Sequence, residues 1–417
     1  IFVYYDPLLM VLILIMMKLN MKNNKIKIIV IGTGAYTKGT ILPALLTYAQ
    51  KFKVNLSIVF GCNSVEGQTN ILREAESLKT LLGVDVKIES VLNIDEGSLP
   101  NKKHTVLENC IGFNRWNYDV VAGIVATPDE FHYKWIKQFI LNKVPVLSVK
   151  PLTLSLKESL ELTKIAKKFQ VPAFVEFHKR YDRQLRYAKD EYSTLGELLY
   201  CYTEYTQRKT IREDTFRKWS NKTNIFSYLG VHYVDAIRYI TKATPIKVSA
   251  TGQKQYLIDK SIDTYDSIQA NILWKTNFQW LGSGFDCYEW NTREITFNQT
   301  INCSWVESNY SSSVSAQNLN LVFANGRINC EQKDRGLSIL RKDESTEHIN
   351  PDFCRRYGNT FEGYGIDAYI NFIHCISENP LGIMDDRMCS FEEACISTSV
   401  IEAANKSLKN NSKWIKL

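Results

Sequence analysis

Residues 25–39 read Lys-Ile-Lys-Ile-Ile-Val-Ile-Gly-Thr-Gly-Ala-Tyr-Thr-Lys-Gly, and this stretch decides the fold. The β-branched run from Ile26 to Ile31 suits a strand buried on both faces. It runs directly into Gly32-Thr33-Gly34-Ala35-Tyr36-Thr37-Lys38-Gly39, and a helical stretch follows from Thr40 to about Phe52. In a strand, glycine turn and helix unit the first glycine permits the tight turn. The second lets a pyrophosphate approach the backbone, and the helix N-terminus faces the phosphate charge. Gly32 and Gly34 fit those parts, with Thr33, Ala35, Tyr36 and Thr37 completing a cofactor loop. The third glycine comes late, so the loop is longer than GxGxxG. Gly34 and Gly39 have the GxxxxG spacing of a Walker A loop, but Thr40 stands where that loop needs Lys.

Downstream, Asn55–Phe60 reads as the second strand. A carboxylate for the adenosine ribose is expected at its end, yet Gly61-Cys62-Asn63-Ser64 follows. Asn63 and Ser64 can donate to a 2′-phosphate and carry no repelling charge, which favours NADP(H) over NAD(H). A helix follows over about 66–82. Residues 83–118 are less regular and predict a short strand and a surface insertion. Alternation then resumes. Strand Val120–Val125 ends in Ala126-Thr127-Pro128, with His132 opening helix Phe131–Asn142. Strand Val144–Val149 ends at Lys150-Pro151. Helix Ser155–Phe169 and strand Val171–Phe177 lead into His178-Lys179-Arg180-Tyr181-Asp182. This alternation predicts a doubly wound parallel sheet, whose ligands sit beyond the carboxyl ends of the strands. The Gly32 loop, Thr127, Lys150 and His178 should therefore meet in one crevice.

After about residue 195 the sequence turns β-rich, with candidate strands Leu198–Tyr205, Ile246–Thr251, Ser267–Trp274, Phe278–Phe285, Glu294–Phe297, Ser315–Phe323 and Arg327–Cys330. Asn325-Gly326 is a hairpin signal. One helix, about Ile225–Thr241, interrupts them, and helices Phe361–Glu378 and Phe391–Lys409 close the chain. The expected organisation is an α/β Rossmann domain over 21–181 and an α+β domain over 182–417, built on an open, mixed or mainly antiparallel sheet.

Composition sets bounds on function. The chain has 417 residues, 45% apolar and 23% charged, enough for a substantial core. Basic and acidic residues number 51 and 44, a balance that gives no nucleic-acid signature. Ten scattered cysteines without a CxxC pair point to a reduced, cytoplasmic protein, and no clustered ligands point to a metal. The apolar run Leu8–Met17 is too short to span a bilayer and makes a poor signal peptide. Met21 is the expected natural start and residues 1–20 an upstream extension, with a membrane anchor as the alternative.

Four stretches in order resemble the Gfo/Idh/MocA oxidoreductases, the family of glucose-fructose oxidoreductase and inositol dehydrogenase. They are Gly32–Leu46, Ala126-Thr127-Pro128 with His132, Lys150-Pro151, and Gly230-Val231-His232-Tyr233-Val234-Asp235. Val175–Asp182 and the C-terminal stretch from Phe391 extend the likeness. The resemblance implies a Rossmann domain, an open-sheet domain that often forms a homodimer or homotetramer interface, and hydride transfer between NAD or NADP and a sugar or polyol hydroxyl. It identifies Lys150 with the lysine of the family's EKP motif and His232 with its catalytic histidine. Two positions depart: Val149 replaces the motif's glutamate, and Tyr228 stands where the family often has aspartate. On a regular helix Tyr228 and His232 share a face, so Tyr228 joins them as a catalytic candidate.

Alcohol oxidation needs a base for the hydroxyl proton and a cation to stabilise developing negative charge, roles that histidine and lysine suit. His178, Arg180, Trp219 and Asp235 are the substrate-side candidates. Plainer readings accompany several of these: Asp235 as a partner within the helix bundle, His132 as a helix-start residue, and the basic stretch Arg208–Lys218 as solvated surface. The basic stretch also admits an anionic sugar. The expected activity is an NAD(P)-dependent dehydrogenase or reductase. The alternatives are a non-catalytic dinucleotide or sugar sensor, and a glycosidase that works by transient oxidation.

Overall fold

The computed structural model describes residues 25–92, 107, 110, 117–215, 222–279, 292–307, 316–333, 335–340, 346–348, 350–378 and 385–417. The expectations for residues 1–20 and for Trp219 lie outside them.

The first half builds one sheet. Strands β1 (Lys25–Ile31), β2 (Asn55–Cys62), β3 (Lys87–Leu92), β4 (Val120–Val125), β5 (Val146–Val149) and β6 (Ala173–Glu176) run parallel. Ile26 to Ile31 are all buried, as a strand covered on both faces requires. Helices α1 (Leu42–Phe52), α2 (Val65–Leu82), α3 (His132–Leu141) and α4 (Leu156–Phe169) make the crossovers. Ser64 caps α2 by accepting from Gly67 N at 3.1 Å, and Gly83 ends it at φ +63° in the left-handed conformation.

The strand order is β6-β5-β4-β1-β2-β3, so the chain reverses direction of travel between β4 and β1. Just beyond that switch point, Ala126 N donates to Ile31 O at 2.8 Å. The late glycine has a structural answer. Thr37–Ile41 is a π turn that runs straight into α1, and Gly39 lies inside it. The extra length is absorbed as helix, not as loop.

After helix α5 (Arg183–Glu191), the second half forms a seven-stranded sheet. Six of its strands are β7 (Leu198–Arg208), β8 (Thr244–Gln253), β9 (Ser267–Gln279), β10 (Thr292–Glu307), β11 (Gln317–Phe323) and β12 (Gly326–Glu331), and the seventh comes from the C-terminus. β10 pairs parallel with β7 and the other pairings are antiparallel, a mixed sheet as expected. The predicted strand starting at Phe278 is instead the end of β9. Trp274, Thr276 and Phe278 keep one buried face while Lys275 and Asn277 stay exposed, so the alternation never breaks for a turn. Residues 280–285 of that prediction lie outside the described chain. Glu294–Phe297 likewise belongs to the much longer β10.

Helix α6 (Val231–Thr241) lies on this sheet's inner face and is preceded by a second π turn, Phe226–Gly230. The chain then goes back. Helix α7 (Tyr364–Glu378) buries Tyr369, Phe372 and Ile373 in the same apolar cluster as β1, β2 and α1. Strand β13 (Cys389–Ser390) pairs antiparallel with β6 and completes the first sheet. Helix α8 (Phe391–Lys409) follows, and β14 (Ile415–Lys416) pairs with β8. No described helix is long and apolar enough to cross a membrane.

Candidate active site

The glycine loop is shaped by contact with β4. Gly32 has φ +106°, and a Cβ there would lie 2.3 Å from Ala126 O. Thr37 Oγ1 donates to Gly32 O at 2.8 Å and ties the loop to the π turn. Gly34 is different: nothing lies within 4 Å of its would-be Cβ, and it is exposed beside Ala35. No side chain caps this helix start, which leaves its N–H groups available for a phosphate. Thr33 approaches Gly67 at the start of α2, next to Asn63 and Ser64. Thr127 Oγ1 is buried without a hydrogen-bond partner among the described residues. An open glycine cradle, an uncapped helix start and an orphaned hydroxyl at the switch point fit a dinucleotide.

His132 does different work. Its Nδ1 lies 2.8 Å from Pro151 O and its Nε2 2.9 Å from Thr127 O, and it is fully buried. Both ring nitrogens are engaged, so His132 struts the loop after β4 against the loop after β5.

Lys150 leaves the end of β5 and meets Tyr228. Its Nζ donates to Tyr228 O and lies 4.0 Å from the centre of the Tyr228 ring. Burial lowers its pKa from 10.5 to about 8, against the opposing pull of Asp129 and Glu176. Tyr228 also stacks on Trp305, with ring centres 5.9 Å apart, and burial raises its phenol to about 12. Val149, where the family motif has glutamate, is half-buried against the apolar cluster of the first sheet.

His232 is buried, and its Nδ1 has no hydrogen-bond partner among the described residues. Burial holds its pKa well below 6.5, and the charges of Lys150, His178 and Lys179 lower it further. Its ring centre lies 4.5 Å from that of His178. The regular-helix spacing assumed for Tyr228 and His232 is interrupted, although both still neighbour Lys150. Tyr228 sits in the π turn, which advances the helix by an extra residue. Tyr228 turns to Lys150 and Trp305, and His232 to His178, Phe177 and Tyr205.

The structure does not bring Arg180 and Asp235 to this cluster as substrate ligands. Arg180 Nη2 donates to Asp235 Oδ1 at 2.6 Å and Nε to Oδ2 at 2.8 Å, while Nη1 donates to Glu393 at 2.8 Å. Both partners are fully buried, and the pair holds the segment after β6 to α6 and α8.

Two neighbours escaped the sequence reading. Glu176 is buried at the end of β6 and accepts from Tyr36 Oη at 3.2 Å. The available signal was an acidic residue closing an apolar run, Val-Pro-Ala-Phe-Val-Glu-Phe over 171–177. Lys179 is buried among Tyr205, Tyr233 and Tyr364, donating to Gln317 and Gln332 at 2.9 and 3.1 Å. Burial lowers its pKa to about 8. Its neighbour Arg180 drew attention in its place. Among the described residues no group of His, Cys, Asp and Glu could hold a metal.

The model for the oxidoreductase family with an NAD-binding Rossmann fold matches residues 112–177. The chain is 26% identical over 140 residues to 2,7-anhydro-N-acetylneuraminate hydratase of Mediterraneibacter gnavus, covering 32% of this chain and 37% of the relative. It is 29% identical over 154 residues to scyllo-inositol 2-dehydrogenase (NAD(+)) of Bacillus subtilis, covering 34% and 44%. These matches span less than half the length of the curated relatives. Among solved structures, GenD2 from gentamicin A biosynthesis in complex with NAD superposes with a TM-score of 0.65 at 16% identity, over 94% of this chain and 97% of that one. Scyllo-inositol dehydrogenase from Lactobacillus casei with bound NAD(H) and scyllo-inositol gives 0.63 at 14% identity, over 94% and 99%. Those identities speak to fold. The ordered motifs and the family model over residues 112–177 make the chain similar to the Gfo/Idh/MocA oxidoreductases, and the solved structures share its two-domain fold.

Proposed function

We propose that the protein is an NAD(P)-dependent oxidoreductase that moves a hydride between nicotinamide and a hydroxyl-bearing carbon of a sugar, cyclitol or sugar derivative. One observation carries the reading. Beyond the strand ends of a dinucleotide-type sheet, Lys150 packs on Tyr228, and nearby the buried His232 stacks 4.5 Å from His178 with its Nδ1 unpartnered among the described residues.

Residues 32–37 would hold the pyrophosphate, Asn63 and Ser64 the adenosine ribose, and Ala126–Pro128 the cofactor's inner half. Bound nicotinamide supplies the hydride acceptor or donor. The Lys150 ammonium, steadied by Tyr228, binds the reacting oxygen and stabilises negative charge on it. His232, kept neutral, stands with Lys150 at the reacting hydroxyl and orients it. The absence of a carboxylate at 61–64 favours NADP(H).

The reading is tested by titrating purified protein with NADPH and NADH, then following reduced-nicotinamide absorbance across sugars and cyclitols. Lys150→Ala and His232→Ala should each abolish turnover while retaining dinucleotide binding. Full activity in both variants would overturn it.

The hydratase among the relatives favours a second reading, since adding water changes no net oxidation state. Product formed without net change in reduced cofactor would mark that use of the same site. The expected homodimer or homotetramer has a candidate surface in the outer face of β7, where Tyr200 and Tyr202 are exposed.

A further inference from the structure

His178 and His232 lie side by side, but only one is equipped to hold a proton. His178 Nδ1 is 2.9 Å from Glu176 Oε1, while His232 Nδ1 has no partner among the described residues. The same Glu176 oxygen receives the Tyr36 hydroxyl at 3.2 Å. A carboxylate only accepts, so the His178 proton sits on Nδ1 and its Nε2 carries the lone pair. The ring is braced by Phe353 at 5.2 Å and Tyr364 at 5.7 Å between centres, yet the side chain keeps 10% of its surface. This is a carboxylate and an imidazole in series, with Nε2 the ring nitrogen facing away from the carboxylate, the arrangement that orients a general base. Tyr36 belongs to the glycine loop, so the cofactor site and this unit share a hydrogen bond.

We propose that Glu176 and His178 form the proton-holding unit of the active site, with His178 as a further catalytic residue and Glu176 as its positioning residue. This rests on the dehydrogenase reading above. As the alcohol's C–H electron pair and hydrogen leave as hydride to oxidised nicotinamide, the O–H proton goes to His178 Nε2 and a carbonyl forms. The imidazolium is then stabilised by Glu176, the negative charge that Tyr228 does not supply. His232, without a carboxylate, orients the hydroxyl.

The test uses the full chain with ¹⁵N-labelled histidine, six residues in all, and the His178 resonances assigned through His178→Gln. The wild-type spectrum should show the neutral Nδ1–H tautomer of His178, with a pyridine-like Nε2. Glu176→Gln should release that tautomer, because an amide can donate as well as accept. It should lower kcat roughly 10²–10⁴-fold on whichever sugar or cyclitol turns over, with NADH affinity retained. Glu176→Asp should recover part of the loss. An Nε2–H tautomer in the wild type, or wild-type turnover in Glu176→Gln, overturns the proposal. The wild-type spectrum needs no variant to fold. Absence of turnover by wild type on every sugar strikes the dehydrogenase reading instead, while the tautomer still decides whether the dyad exists.

Discussion

Lys150 shows how far a surrounding can move one side chain. A free lysine is charged throughout the physiological range, but burial brings this one to about 8. If its ammonium is what stabilises the substrate oxygen, activity is present below about pH 8 and falls as pH rises through that value. The sign follows from deprotonation removing the useful charge. We expect kcat/KM to show an alkaline limb near pH 8. Lys150→Arg should remove that limb while lowering the rate overall, because a guanidinium stays charged but presents a wider fork. A plateau extending past pH 9.5 (more than one unit beyond the limb) would show that the Lys150 charge is not used. At this scale the sequence was partly legible. Lys150 and His232 stood in recognisable neighbourhoods, whereas Glu176 and Lys179 matter through burial and partners, which only the folded chain reveals.

At the level of elements, the two glycines at 32 and 34 separate fold from the proposed function. Gly32→Ala meets backbone in a left-handed conformation, so it should destabilise the protein by about 1–3 kcal/mol or more. Gly34→Ala meets open space, so stability should stay within about 0.5 kcal/mol. It should nonetheless weaken dinucleotide binding, because the added methyl stands where the pyrophosphate approaches. Thermal melts read beside NADH titrations check both, and equal effects of the two substitutions on stability would refute the distinction. Strands β1, β2 and β4 and helices α2, α4 and α8 could be read from sequence because periodicity and caps mark them directly. The two π turns could not. Each inserts a single residue into a helical phase, which leaves no trace in composition, yet it decides which way Tyr228 faces.

For the molecule as a whole, Arg180 is the tie. It emerges beyond β6 and pairs with Asp235 on α6 and Glu393 on α8, so one guanidinium joins the two sheets' supports. Asp235→Ala leaves a buried cation with half its partners and should cost about 3–5 kcal/mol, measured by urea unfolding. Asp235→Asn, which can still accept, should cost less; equal stability of Asp235→Ala and wild type would remove the tie from the account. Sequence spacing hinted at this only as a choice between Asp235 in the site and Asp235 within the helices. The pairing joins positions far apart in the chain.

The antiparallel strand Cys389–Ser390 that completes the first sheet also sets an order of events during synthesis. A ribosome adding about 5–20 residues per second delivers that strand roughly 10–40 s after Glu176. Through that interval the nascent sheet presents β6 as a bare edge, and Arg180 waits for Glu393. The edge therefore stays open until the last helix arrives, and translation stalled near residue 350 should yield aggregates where full-length chains fold.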